Sequence, residues 1–299
     1  MQNLVSLNCW LNINKPIGCS SAKVVAIVKK ITGAKKVGHG GTLDPFADGV
    51  LPIALNKATK TCDYIMGAPK KYAFTITWGE FRDTDDIEGK VVESSLNRPS
   101  FDEIKNALPF FTGKINQTPS RFSAIKINGQ RAHELARKEV EFEIKSREIE
   151  IFSLKLINNN SDFAQFEVEC SKGTYVRSLA RDICKKTGVC GYVSKLTRLK
   201  VGKFLHEKTI SLESLKKIID NEESFFDGSL LLLQDVLDFM TTISIDDQDS
   251  FRFKNGGTIA INQLFSKPNF SDIVRVESHN QTIGLARLED GFLKPINVF

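Results

Sequence analysis

The chain has 299 residues, of which 41% are hydrophobic and 26% charged, a composition typical of a soluble globular protein with one large or two smaller domains. No window approaches 18 consecutive apolar residues, so we expect no membrane-spanning helix. The first dozen residues lack the basic region and the cleavage site of a secretory signal. The six cysteines form no C-x-x-C pair and the four histidines show no H-E-x-x-H spacing. These patterns predict a reducing, cytoplasmic location and no metal site.

The charge of the chain is distributed unevenly around a net value of +5. Residues 1–60 carry eight Lys and Arg against two acids, and residues 172–208 carry ten against two. Residues 211–250 carry two basic residues against ten acids. A surface with one basic face suits a polyanion such as RNA or DNA. Solvated helix faces would give the same pattern, so charge alone leaves both interpretations open.

The first half of the chain contains one clear helix and one clear strand. A helix is predicted from the cap at Ser20 to Gly33, because apolar residues recur at helical spacing between them. The glycine-rich run of residues 33–49 predicts a loop. Residues 70–79 alternate between apolar and polar side chains and predict a strand. For the acidic residues 83–88 we expect a solvated turn.

The second half predicts a mixture of helices and strands and a change of character near residue 240. Residues 114–140 combine basic side chains with a proline, an Asn-Gly turn and a short helix. Residues 163–170 alternate as a strand, and an apolar helical stripe begins at Val176. Because strands and helices interleave without a regular β-α repeat, the predicted class is α+β. Short strands with close turns in the last sixty residues predict a small β-barrel or sandwich.

The segment Gly38–Pro45 places an imidazole, His39, and a carboxylate, Asp44, in a glycine-rich loop. It is not a Walker phosphate loop, since no Gly-Lys-Ser/Thr follows, and it does not open a helix as G-x-G-x-x-G would. Such a loop allows close approach of a substrate. From composition alone, an Asp-Pro turn with a histidine that caps or packs is the favoured interpretation of the segment.

The run GHGGTLDPFADGVLPIALNKATK, residues 38–60, resembles the signature of the bacterial tRNA pseudouridine-55 synthases of the TruB type. Further blocks agree in the same order along essentially the whole chain: NKPIGCSS (14–21), Lys71-Tyr72, PSRFSAIK (119–126), SKGTYVR (171–177) and VSKLTR (193–198). The resemblance implies a pseudouridine synthase catalytic fold over residues 1–240, with a mixed, largely antiparallel sheet, flanking helices and an RNA-contacting insertion at about 114–145. For residues 241–299 it implies a small PUA-like, RNA-binding β-barrel.

The resemblance also implies a reaction in which uridine 55 of the tRNA T-loop becomes pseudouridine. The C1′–N1 bond breaks, the base rotates while held, and C5 bonds to C1′. Nothing is oxidised and no atom leaves, so no cofactor and no metal are expected. The implied partner is the T-arm of tRNA. No membrane, obligatory protein partner or guide RNA is expected, and the protein is expected to be a monomer.

Site residues follow from the positions that match the family motifs. Asp44 aligns with the catalytic aspartate, and carboxylates do act as nucleophiles at anomeric carbons. Whether it attacks C1′, attacks the base or removes a ribose proton stays open. Arg177 matches the arginine that pairs with this carboxylate, and Tyr72 matches the tyrosine that stacks on the base. Without the resemblance, Tyr72 would be assigned to the core and Arg177 to the surface.

The remaining candidates are assigned to substrate binding. His39 matches the residue that fills in beside the departing base, and Tyr175 and Leu196 match positions that line the pocket. Arg121 and Lys126, together with Arg131, are candidate phosphate contacts, which position RNA without reading its sequence. The Lys15-Pro16 pair matches a motif packed beneath the active loop.

Two other functions remain as alternatives. The first is a non-catalytic protein that binds or folds RNA on the same scaffold. The second is a guide-RNA-dependent relative that works in a multi-protein particle. The joint presence of Asp44, Tyr72 and Arg177 argues against the first, and the bacterial order of motifs with the PSRFSAIK segment argues against the second.

Overall fold

The computed structural model describes residues 4–123, 125–127, 129–138, 140–261 and 273–299. Asn128, of the predicted Asn-Gly turn, and the side chain of Lys126 lie outside the described part. In that part the helices are α1 (Ser21–Thr32), α2 (Cys62–Gly67), α3 (Phe101–Ala107), α4 (Ala132–Arg137), α5 (Val176–Thr187), α6 (Leu212–Ile219), α7 (Leu233–Val236) and α8 (Asp247–Lys254). None of these helices has the length and apolar character that crossing a bilayer requires.

The strands outnumber the helices and belong to two main sheets and two short hairpins. In chain order they are β1 (Cys9–Lys15), β2 (Val37–His39), β3 (Asp48–Leu55), β4 (Lys70–Trp78), β5 (Glu80–Arg82), β6 (Val91–Ser94), β7 (Gly113–Gln117), β8 (Lys126–Ile127), β9 (Gln130–Arg131), β10 (Arg147–Asn159), β11 (Phe163–Cys170), β12 (Gly191–Val201), β13 (Phe204–Leu205), β14 (Leu230–Leu232), β15 (Thr242–Ser244), β16 (Ile259–Ala260), β17 (Ile273–Ser278), β18 (Gln281–Glu289) and β19 (Phe292–Val298).

The large sheet has the order β14-β1-β3-β12-β4-β11-β10-β7, with β2 beside β3 and β13 beside β12. Its pairings are antiparallel except where β12 meets β3, which is parallel. The predicted strand 70–79 and strand 163–170 are confirmed as the central neighbours β4 and β11. The predicted loop 33–49 is wrong over Val37–His39, which forms β2 by pairing with Leu55 and Ile53 of β3. That pairing depends on a partner strand outside the loop, which local composition does not show.

The helices cover different parts of this sheet. The predicted helix from Ser20 to Gly33 is confirmed as α1, capped by the Ser20 hydroxyl and ended by Gly33 in the left-handed conformation (φ 66°). It packs with α6 against β1 and β3. Helix α5 buries the stripe that begins at Val176 against β4, β11 and β12. The α+β class is confirmed.

A second sheet of order β15-β17-β18-β19-β16 follows near the C terminus, as the pattern of short strands predicted. It has its own apolar core around Phe253 and α8. A smaller cluster of Leu237, Met240 and Leu285 joins this sheet to the segment that follows α7. The boundary near residue 240 stays a prediction.

Gly49 lies where β3 and β12 run parallel, opposite Arg198. Its φ of +102° lies in the region that favours glycine, and a Cβ atom there would lie 2.4 Å from the Arg198 carbonyl oxygen. Gly188, which ends α5 at φ +70°, has open space around the same position. An alanine at Gly188 would introduce backbone strain alone, whereas an alanine at Gly49 would introduce strain and a steric clash.

We expect Gly49→Ala to lower the free energy of unfolding by about 2–4 kcal/mol, because strain and a backbone clash add. The control Gly188→Ala carries strain only and should cost about 1–2 kcal/mol. Urea unfolding of both variants measures the difference. Equal losses in the two proteins would contradict this account of the β3–β12 junction.

Candidate active site

The loop between β2 and β3 carries Asp44 and is held from below by polar contacts. The Ser21 hydroxyl donates to the Leu43 carbonyl at 3.0 Å and accepts from the Leu43 amide at 2.9 Å. The buried Lys15 ammonium donates to the Pro45 carbonyl at 3.2 Å and to the Cys19 carbonyl at 2.7 Å. Burial lowers the pKa of Lys15. The predicted supporting position of Lys15 beneath the loop matches this geometry.

A buried arginine that sequence analysis did not single out holds the same loop from the side of β12. The Arg198 side chain is 1% exposed. Its guanidinium donates to the carbonyls of Val50 at 2.7 Å, Thr42 at 3.1 Å and Gly41 at 3.0 Å. Three carbonyl acceptors fix the path of the backbone that leads to Asp44. Membership of the VSKLTR block was the only sequence signal for this residue.

Arg177 and Asp44 form a two-point ion pair at the N-terminal end of α5. The Arg177 Nε lies 2.9 Å from Asp44 Oδ2, and Nη2 donates to Oδ1 at 3.2 Å. The arginine is 4% exposed, whereas the Asp44 side chain is 32% exposed. The pair therefore presents a partly exposed carboxylate from a buried cation. One hydrogen bond, from Nη2, and one ion-pair contact, at Nε, join the two groups.

A second carboxylate contacts the same guanidinium from inside the protein. Asp86 Oδ2 lies 3.1 Å from Arg177 Nη1, and Asp86 Oδ1 accepts from the Thr84 hydroxyl at 2.6 Å and from the Glu88 amide at 3.0 Å. Burial raises the pKa of Asp86, which the charge of Arg177 opposes. The prediction of a solvated turn at 83–88 is wrong for Asp86, which is 2% exposed.

Asp85, the residue before Asp86, binds the same turn to α5 through a second ion pair. Asp85 Oδ2 lies 3.2 Å from Arg181 Nη1, and Arg181 Nη2 donates to the Thr118 carbonyl at 2.8 Å. Burial raises the pKa of Asp85 as well. Two successive acids thus bind two arginines that lie one helical turn apart on α5. The sequence shows the acids and the arginines, but not their contact across about ninety residues.

One side of the Asp44–Arg177 pair opens into a cleft of about 270 Å³, the inner cleft. Tyr72 of β4 and Leu196 of β12 form part of its wall, and Tyr175 lies at the start of α5. Burial raises the pKa of the Tyr72 phenol. The structure therefore brings Asp44, Arg177, Tyr72, Tyr175 and Leu196 together around one cavity. The inner cleft offers an aromatic and an aliphatic surface beside one carboxylate.

The other side of the pair opens into a wider cleft of about 650 Å³, the outer cleft. His39 lies here and not among the residues that line the inner cleft. Its Nδ1 accepts from the Gly41 amide at 3.2 Å, and burial lowers its pKa. Arg131 and Arg137 supply positive charge to the same cleft.

Of the remaining phosphate-contact candidates, Arg121 lines neither of these two clefts. Arg121 lines a third cleft of about 460 Å³ with Arg181 and Lys185, and its guanidinium carbon lies 5.0 Å from the centre of the Phe142 ring. Lys126 belongs to β8, and its side chain is outside the described structure.

Comparison with known proteins places this site in a family. Two family models match: TruB family pseudouridylate synthase (N terminal domain) over residues 29–176, and tRNA pseudouridylate synthase B C-terminal domain over residues 177–243. The chain is 41% identical over 297 residues to a protein of Ehrlichia ruminantium named tRNA pseudouridine synthase B, covering 97% of this chain and 98% of the relative. The chain belongs to the TruB family of pseudouridylate synthases. It is therefore an isomerase that acts on tRNA.

Further relatives and solved structures agree with this family. A tRNA pseudouridine synthase B of Agrobacterium fabrum is 42% identical over 296 residues, covering 97% of this chain and 94% of the relative. The structure of an H/ACA RNP bound to a substrate RNA containing 2′-deoxyuridine has a chain with a TM-score of 0.72 at 23% identity, covering 97% of this TruB-family chain and 84% of that chain. The archaeal box H/ACA sRNP Nop10-Cbf5 complex also gives 0.72 at 21% identity, covering 99% and 87%. These two structures share the pseudouridine synthase fold.

We expect Asp86→Asn to weaken the site although Asp86 does not line the inner cleft. Removing one of two carboxylates from a buried guanidinium should lower the free energy of unfolding by about 3 kcal/mol. Displacement of Arg177, and with it Asp44, should lower the rate of pseudouridine formation by about 100-fold. Urea unfolding and a tritium-release assay on tRNA measure the two effects. The control is Glu93→Gln, which removes an exposed charge on β6. An Asp86→Asn protein with normal stability and rate would contradict the proposed contact.

Proposed function

We propose that this chain converts uridine 55 in the T-loop of tRNA to pseudouridine, with Asp44 as the essential carboxylate. One observation carries the proposal: the Asp44 carboxylate is partly exposed where two clefts share its side chain, and both of its oxygens lie within ion-pair distance of a buried arginine, one of them accepting a hydrogen bond from it. A carboxylate enclosed by substrate must remain an anion to act on the sugar or the base. A cation held in place before the substrate arrives favours that state.

The two clefts support an extruded nucleotide. A uridine within a folded T-loop is stacked, so the enzyme must swing it out to reach C1′. We assign the base to the inner cleft, with the ring of Tyr72 stacked on one face and Leu196 beside it. Tyr175 contributes a second aromatic wall. His39 would lie in the outer cleft, beside the space from which the nucleotide has moved.

The chemistry follows from the position of the carboxylate. After the C1′–N1 bond breaks, the base must turn within the inner cleft before C5 bonds to C1′. The proton lost from C5 and the proton gained at N1 balance, so the product is an isomer of the substrate. The geometry supports three roles for Asp44 equally: attack at C1′, attack on the base, or removal of a ribose proton. Arg177 orients the carboxylate in each of them.

The RNA-binding surface is proposed from charge. Arg131 and Arg137 in the outer cleft, together with Arg121 and Lys126, would contact phosphates of the T-arm. We further propose that residues 114–145 are an RNA-contacting insertion and that residues 241–299 form a PUA-like RNA-binding domain. The separate apolar core of the C-terminal sheet supports the second assignment.

We propose that the protein acts without a guide RNA or an obligatory protein partner, in the cytoplasm and as a monomer. The similarity to bacterial proteins named tRNA pseudouridine synthase B supports the absence of a guide RNA. The two solved structures named above are complexes of H/ACA particles, and at 21–23% identity they carry the fold alone. Purified protein acting on bare tRNA is the direct test of independence. Activity that appears only after adding a guide RNA would overturn this part of the proposal.

The Asp44→Asn protein should form no pseudouridine at position 55 while it binds unmodified tRNA with affinity close to that of the wild type. The amide keeps the size of the side chain but cannot act as a nucleophile or base. Chemical mapping of pseudouridine, with filter binding alongside, measures both properties. Asp63→Asn on α2, an exposed aspartate, is the matched control. Equal pseudouridine formation by the wild type and Asp44→Asn would contradict the essential role of Asp44. No modification by either protein, with tRNA binding intact, would favour a non-catalytic RNA-binding protein.

The affinity for tRNA should fall steeply as salt rises, by at least about tenfold between about 50 and 200 mM, because bound phosphates release counterions. Arg137→Gln should reduce the slope of the logarithmic salt plot by about 1. Lys217→Gln, on the acidic segment, should leave the slope unchanged. A flat salt dependence of the wild type would refute the basic RNA-binding surface.

A further inference from the structure

The inner cleft carries more positive charge than the Asp44 carboxylate requires. Four cations line it, and Asp44 is the single acid among its described lining residues. Three of the cations have evident tasks: Arg177 holds Asp44, Arg198 holds the loop carbonyls, and Arg147 donates to the Gly173 carbonyl at 2.7 Å. The fourth cation is Lys70, for which the proposed function assigns no task.

Lys70 is the first residue of β4 and lies two residues before Tyr72. Side chains alternate along a strand, so Lys70 and Tyr72 project from the same face, roughly 7 Å apart along the chain. The Lys70 residue is 7% exposed, and its ammonium donates to the Met66 carbonyl at 2.5 Å and to the Ala68 carbonyl at 2.6 Å. An ammonium has three hydrogens, so the third remains for the cleft that the residue lines.

A purely structural task for Lys70 would be to bind carbonyls at the C-terminal end of α2, where a cation is favourable. Keeping a charged ammonium in these buried surroundings costs free energy. Burial, together with the cations of Arg198 on β12 and Lys172 after β11, lowers the pKa of Lys70 to about 8, whereas Cys170 opposes this shift. A neutral donor would satisfy the same carbonyls at lower cost. A positively charged Lys70 at this buried position therefore indicates a ligand that carries negative charge.

The reaction supplies such a ligand when the base leaves the sugar. As the C1′–N1 bond breaks, its electron pair stays with the ring and is delocalised onto the carbonyl oxygens O2 and O4. If Asp44 adds to the base instead, the electron pair of the attacked double bond moves onto O4. In each route, including removal of a ribose proton, the uracil oxygens carry negative charge in the intermediate. Preorganised donors and charges aimed at developing charge usually make the largest single contribution to catalysis.

We propose that the Lys70 ammonium stabilises the negative charge on uracil during isomerisation, by donating its third hydrogen to a carbonyl oxygen of the base that stacks on Tyr72. This inference rests on the proposed function and deepens it. The electron pair returns from the ring when C5 bonds to C1′, the C5 proton is then lost, and N1 gains a proton. Lys70 holds its own proton throughout and is neither acid nor base in the balance.

Three variants test the proposal on full-length protein with unmodified tRNA. Lys70→Met removes the charge and keeps most of the aliphatic stem. Lys70→Arg keeps the charge. Lys71→Met is the matched control, because Lys71 is the adjacent lysine on the opposite face of β4 and pairs with Glu167 at 2.7 Å. Single-turnover rates, tRNA affinity and thermal unfolding are measured for each.

The expected result is a split between chemistry and binding. Lys70→Met should lower the single-turnover rate by about 10²–10³-fold while tRNA affinity changes by less than about threefold, because the charge matters only after the bond begins to break. Lys70→Arg should recover at least about a tenth of the wild-type rate. Lys71→Met should behave as the wild type. A Lys70→Met protein with a normal rate, or one whose whole defect lies in affinity, would overturn the proposal.

The pH dependence provides a second test, which remains decisive if Lys70→Met does not fold. The active form is the protonated lysine, so the wild-type rate should fall as pH rises through about 8. A guanidinium stays protonated there, so Lys70→Arg should keep its rate up to about pH 9. The same alkaline loss in both proteins would overturn the assignment of this limb to Lys70. Failure of the proposed function is distinct, since the wild type itself would then form no pseudouridine.

Discussion

A guanidinium that is 4% exposed must find its counter-charges inside the protein, because the water that would solvate it has been removed. Arg177 has two such partners, which differ in their own exposure. Asp86 is buried and compensates the cation from within, whereas Asp44 remains partly open to a substrate. A single buried pair would satisfy the arginine but leave no free carboxylate surface. Because Asp86 compensates the buried cation, Asp44 can be bound by Arg177 and still remain accessible to a substrate.

The loop that carries Asp44 buries Leu43, Phe46 and Ala47 in the main apolar core, and buried cations and a hydroxyl bind its backbone. Lys15, Arg198 and Ser21 bind backbone carbonyls on three sides of it. Carbonyl acceptors fix a backbone path without neutralising the donor, so the positive charge remains. The resulting field around the inner cleft suits a substrate that brings phosphates and, during the reaction, an electron-rich base. The same buried cations therefore support the loop and supply positive charge for the substrate.

Much of the fold follows from local pattern. The helix from Ser20 to Gly33 could be predicted because its cap, its apolar spacing and its terminal glycine all lie within fourteen residues. The central strands β4 and β11 could be predicted from simple alternation. The helix predicted from the apolar stripe at Val176 is confirmed as α5. The loop prediction failed at β2, whose only signal is its pairing with β3. The local sequence shows the periodicity that predicts a strand or a helix. It does not show which distant strand will be the partner.

The sequence by itself determined the family and the list of candidate residues, because motif blocks preserve residue type and order. Only the tertiary structure decided which of them meet. It brought Asp44, Arg177, Tyr72, Tyr175 and Leu196 around one cleft, and placed His39 on the other side of the ion pair and Arg121 on a separate surface. The roles of Asp86, Arg198 and Lys70 also emerged there, since each depends on burial and on contacts formed between segments far apart in the chain.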